Sequence, residues 1–170
     1  MSKLLAGLYR LLGALACVAL AAAFGLVALG VIVRQTGWDI QGLDGYAGYA
    51  IAAALFLALP ATFQRGEHIR VTLGLERLPP KGRAALELWS LVAGLLLSAF
   101  MAFYAVRLVW VSYITHDVSP AMDATPLWIP QLAMALGCIG LALALLDALC
   151  SRWSGKLFFA AGAGEAARVE

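Results

Sequence analysis

Charge is what this chain has least of. Asp, Glu, Lys and Arg make up 13% of its 170 residues, about half the share of a soluble domain. Together with a mean hydropathy of +0.88, this excludes the soluble classes and predicts a membrane protein. Cysteine is also scarce: Cys17, Cys138 and Cys150 form no CxxC pair, which argues against thiol–disulfide exchange and leaves them as small apolar packing residues. The two histidines, His68 and His116, both fall outside the long apolar runs, so a bis-histidine haem inside a helix bundle is excluded. The HExxH, GxSxG and Walker patterns are missing, and the Gly-rich AAGAGEAA near the C-terminus lacks the Lys of a phosphate loop. The expectation is a chain that is not an enzyme, with no catalytic residues, no cofactor, no metal site and no nucleic-acid partner.

The charges that are present leave four windows free of them: Leu11–Val33, Gly45–Gln64, Leu88–Val106 and Ala124–Leu146, of 23, 20, 19 and 23 residues. At about 1.5 Å rise per residue, about 20 residues cross a hydrocarbon core of about 30 Å, so each window spans once. The expected fold class is therefore an all-α integral membrane protein with four transmembrane helices, near 11–33, 45–64, 86–108 and 126–149. A surface segment near 66–83 and a short tail at 152–170 complete a single membrane domain over 1–170. Lys3 and Arg10 ahead of the first window also suit a signal peptide. Its 23 residues, however, exceed the usual apolar region of about 7–15 and end at Arg34 without a clear cleavage site, so it is read as a retained first helix.

Ten of the twelve basic residues fall on one side if alternate connections face alternate sides: Lys3, Arg10, Arg65, Arg70, Arg77, Lys81, Arg83, Arg152, Lys156 and Arg168. Arg34 and Arg107 border the other side, with Asp39, Asp44, Asp117 and Asp123. The positive-inside rule places both termini in the cytoplasm, and the aromatic residues agree: Trp38, Tyr46, Trp110, Tyr113 and Trp128 at the outer interface, Tyr9, Trp89 and Trp153 at the inner one. The polar stretch FQRGEHIRV, Phe63 to Val71, is thus the inner end of the second helix. Gly66 suits the chain reversal at a helix C-terminus, and Arg65 the last carbonyls and lipid phosphates. A short surface segment follows, whose alternation fits a strand as well as a helix. Pro60 removes one helical hydrogen bond and predicts a bend. Small residues recur every four positions at Gly13, Cys17, Ala21 and Gly25, at Gly94, Ser98 and Ala102, and at Gly140, Ala144 and Ala148. Such stripes permit close helix approach, and an Ala-rich chain also produces them by chance.

Ion-coupled carriers hold ionisable groups near the midplane. Here Glu87, Arg107 and Asp147 mark the ends of windows and read as interfacial anchors. Such a chain is better suited to support another protein than to transport alone. Two other readings stay open: a small anchor of a respiratory or assembly complex, and an independent homo-oligomeric carrier.

The order of short motifs resembles the small membrane subunit, of DctQ type, of tripartite ATP-independent periplasmic (TRAP) transporters. Arg34 ends the first helix, Trp38 and Asp44 precede the second, RGEHIRV (Arg65–Val71) follows it, LPPKGR (Leu78–Arg83) leads into the third, and TPLWIPQLAMALG (Thr125–Gly137) opens the fourth. The resemblance covers roughly residues 8–150 and departs at Leu43–Asp44, where many members carry two acidic residues. It implies a subunit of the bacterial inner membrane that braces a large DctM-type permease for sodium-driven uptake of an organic acid delivered by a periplasmic DctP-type binding protein. The candidate partner and lipid contacts are Arg65, Gly66, Glu67, His68 and Arg70. The candidate outer face is Arg34, Trp38, Asp44, Asp117, Asp123 and Trp128. His68, a lone loop histidine without suitably spaced ligands, is read as a structural or partner contact.

Overall fold

The computed structural model describes residues 3–38, 40–65, 79–120 and 124–153. Among these, four helices follow in order: α1 (Lys3–Thr36), α2 (Leu43–Arg65), α3 (Pro80–Ile114) and α4 (Trp128–Trp153). Each holds a segment long and apolar enough to cross a membrane, the shortest of 23 residues, or about 35 Å at about 1.5 Å per residue. The chain is a multi-pass, all-α membrane protein.

The helices run beyond the uncharged windows because a charge does not end a helix; a cap does. Lys3 and Arg10 lie inside α1, and the exposed Arg10 side chain is long enough to reach the head groups at a membrane surface. Pro79 has extended backbone (φ −60, ψ 153) and Pro80 takes the first helical position of α3, where its missing N–H costs nothing. Residues 80–83, assigned from the sequence to the surface segment, therefore form the first turn of α3. The rest of that segment, 66–78, and the tail from 154 onward lie outside the described residues.

The helices stand in the spatial order α1, α2, α4, α3, with α1 touching α4 only lightly. Flanked on both sides, α4 is the most deeply packed. Ala144 is fully buried, and Ala135, Cys138 and Ala148 nearly so. Two glycines set how closely α4 approaches α2. A Cβ at Gly137 would fall on the carbonyl of Phe56, and one at Gly140 would lie 2.6 Å from Pro60 and 2.9 Å from Leu12. Phe56 is the residue whose carbonyl Pro60 leaves without its helical N–H partner. Gly137 thus brings its backbone against that freed acceptor.

The small-residue stripes are used unequally. A Cβ at Gly94 would meet Leu145 at 3.5 Å, and Ser98 and Ala102 are buried against α4. On α1, by contrast, Cys17, Ala21 and Gly25 are exposed, and that helix buries Tyr9, Leu12, Ala16 and Ala23 instead. Most large apolar side chains point outward, among them Leu15, Val18 and Phe24 on α1 and Leu96, Phe100 and Phe103 on α3. Water would penalise such a surface by about 25 cal/mol per Å2; hydrocarbon does not.

Candidate functional site at the two ends of the bundle

At one end α1 turns into α2 through a tightly specified connection. Gly37 takes φ +72, and the Trp38 N–H donates to the Val33 carbonyl at 3.2 Å, the closure of a helix by a left-handed residue just past its end. Gly42, at φ +85, ends the turn, and its carbonyl accepts the Tyr46 N–H at 3.1 Å. Across the connection, Arg34 Nη2 donates to both Asp44 oxygens, at 2.8 and 3.1 Å. Arg34 sits in the last turn of α1 and Asp44 in the first of α2, each with the sign its helix dipole favours. The side chains are 72% and 84% exposed, so the pair is worth under about 1 kcal/mol in water. Its effect is to fix the position of the connection, which presents Trp38, 71% exposed, beside it.

The second connection at this end, between α3 and α4, is closed in the same way by a different residue. His116 adopts φ +53, and the Asp117 N–H donates to the Ser112 carbonyl at 3.1 Å. Further on, the Asp117 carbonyl accepts the Leu127 N–H at 3.0 Å and the Thr125 carbonyl accepts the Ser119 N–H at 2.8 Å. Val118 and Pro126 form an antiparallel bridge, which returns the chain to the start of α4. The ring of Trp128 stands edge-on to Tyr113 at 5.8 Å. The two connections meet where the Thr125 hydroxyl donates to the Tyr46 hydroxyl at 3.2 Å. Among the described residues, the surface so built offers exposed carboxylates, one compensated arginine and indole rings.

The opposite end is basic. Arg65 closes α2 and Arg152 lies in the last turn of α4. Arg152 donates to Glu87 of α3 at 3.0 Å, which ties the two helices together. Glu87 is therefore an anchor to a neighbouring helix. Asp147 differs from the expected interfacial anchor more strongly, since its Oδ2 is buried without a hydrogen-bond partner among the described residues.

Of the candidate residues, Arg34, Trp38 and Asp44 come together in one connection, Asp117 and Trp128 in the other, and Arg65 lies at the far end. Gly66, Glu67, His68, Arg70 and Asp123 lie outside the described residues. Sequence reasoning missed the roles of His116, Thr125 and the fully buried Tyr9. A histidine followed by Asp at the end of an apolar run was the available signal for the first; nothing local marks the other two.

A family model of the tripartite ATP-independent periplasmic transporters, DctQ component, matches residues 23–155, from within α1 to just past α4. Neither a curated protein nor a solved structure matches the chain.

Proposed function

Since the chain belongs to the DctQ-component family of tripartite ATP-independent periplasmic transporters, we propose that this small transporter subunit acts as a non-catalytic brace for the large permease. In this reading a DctM-type permease carries an organic acid driven by sodium, and a DctP-type periplasmic protein delivers it. The chain lies in the bacterial inner membrane with both termini in the cytoplasm, as its ten-to-two split of basic residues favours. The connections bearing Arg34–Asp44 and Asp117–Trp128 then face the periplasm, where the binding protein docks. The residues from Arg65 to Arg70 face the cytoplasm and contact lipid head groups or the permease.

The observation that carries the bracing role is the position of α3. It packs on α4 at the edge of the row, burying Ser98, Ala102, Ala105 and Ser112 on one face. At the same helical spacing, its opposite face turns Leu96, Phe100, Phe103 and Trp110 outward. Aromatic side chains are enriched in protein interfaces, where a few of them carry most of the binding energy. The outward residues of α1 are mainly aliphatic, as lipid contact requires. Co-purification of the large subunit with tagged chain tests the assignment. Phe103→Ala with Trp110→Ala should lower its recovery by about tenfold, equivalent to about 1.4 kcal/mol, whereas Leu15→Ala with Val18→Ala on α1 should not. Equal recovery with both pairs would remove α3 from the interface.

A further inference from the structure

At the basic end a groove of about 430 Å3 opens between α1 and α2. Its mouth carries Arg10 from α1 and Arg65 and Gln64 from α2; Tyr9, Gly13 and Ala61 lie in its wall and floor. The two helices close together beneath it, where a Cβ at Gly13 would meet that of Ala61 at 3.3 Å. Tyr9 is 0% exposed, and its hydroxyl has no hydrogen-bond partner among the described residues. A buried hydroxyl left in that state is costly, and Tyr9 is one of the residues lining the groove, so an oxygen atom bound there would relieve that cost. Asp147, whose Oδ2 is likewise buried without a hydrogen-bond partner among the described residues, stands on α4 and is not among the residues lining the groove.

Two guanidinium groups and an amide at the mouth suit an oxygen-rich anion, because arginine forks match phosphate geometry. A free anion would find only half of this site congenial. The lower wall lies within the segment of α1 that is long and apolar enough to span a membrane, and is built of small apolar residues. We propose that the groove binds an anionic phospholipid. Its phosphate sits between Arg10 and Arg65, an ester or phosphate oxygen accepts from the Tyr9 hydroxyl, and the first part of an acyl chain lies over Gly13 and Ala61. The lipid links α1 to α2 at the end opposite the Arg34–Asp44 pair. The site belongs to this chain alone and holds whatever protein the chain supports.

Native mass spectrometry of the full-length chain, extracted from vesicles of equimolar phosphatidylglycerol and phosphatidylcholine, tests this. Phosphatidylglycerol should be retained about thirtyfold over phosphatidylcholine, as expected for two basic side chains at an anionic surface. Arg10→Gln with Arg65→Gln should abolish the preference, and Arg107→Gln, an exposed cation on α3, should keep it. Tyr9→Phe removes one oxygen and no packing volume, so it reads the site even if the double variant misfolds; it should reduce the preference severalfold. A second arm measures thermal stability in detergent with short-chain phosphatidylglycerol or with inorganic phosphate, and only the lipid should stabilise. Equal retention of the two lipids, a preference untouched by both the arginine and the Tyr9 variants, or stabilisation by inorganic phosphate alone would overturn the proposal.

Discussion

Gly137 shows how a single hydrogen atom can set the spacing of two helices. In an ordinary helix, Gly→Ala gains about 1 kcal/mol of propensity, but here the new Cβ would fall on the Phe56 backbone, which cannot rotate away. Steric exclusion therefore outweighs propensity, and overpacking of this kind costs about 1–3 kcal/mol. Gly137→Ala should lower the thermal midpoint of the detergent-solubilised protein. Gly25→Ala, with nothing within 4 Å of its Cβ, should leave it unchanged or raise it. A drop for both variants would mean that helix approach on α1 also depends on small residues. The Arg34–Asp44 pair illustrates the reverse case, a short and well-aligned bond of small energy because both partners are exposed.

At the scale of the element, α3 is defined by how it starts and stops. Pro79–Pro80 begins it, and His116 ends it by adopting the left-handed conformation that lets Asp117 cap Ser112. Histidine is one of the few non-glycine residues that enter this region with some frequency, whereas a β-branched side chain is a true outlier there. His116→Gly should match or slightly exceed wild-type stability, and His116→Val should lose about 1–2 kcal/mol, read from thermal unfolding in detergent. If the imidazole instead acted through its own chemistry, Gly and Val would be equally damaging, and that result would remove the capping role. Pro60 works at the same scale. It frees one acceptor in α2, and α4 covers that acceptor with a glycine.

For the molecule as a whole, orientation follows from charge and is tested by access. Cysteines introduced at Ser2 and Lys81 should be silent to an impermeant thiol reagent added from the periplasmic side, and strong labelling at both would invert the topology. Bracing is a claim about assembly, and His68 in the RGEHIRV segment is the sharper probe because a neutral imidazole contributes no attraction to anionic lipid. His68→Ala should weaken co-purification with the large subunit and lower transport while leaving substrate affinity at the periplasmic protein unchanged. Intact assembly with abolished transport would replace the brace by a proton or ion relay at this position.

Hydropathy and charge are local properties, and so the sequence by itself determined what depends on them: the number of spans, the pairing of connections to sides, and the motif order that pointed to the DctQ family. A 23-residue uncharged run must satisfy its backbone within a helix when water is absent, whatever its neighbours do. Which face of each helix is buried was not legible in this way, because in hydrocarbon an apolar residue gains as much from lipid as from another helix. Regular spacing therefore identified the stripes of α3 and α4 and equally marked one on α1 that is left exposed from Cys17 onward. The long helix ends came from caps rather than charge. The contacts that join distant segments, Thr125 to Tyr46, Gly137 to Phe56 and the Arg10–Arg65 groove, depend on the order in which the helices stand. Only tertiary packing decides that order, since close approach at a few glycines selects one arrangement among several that hydropathy leaves equal.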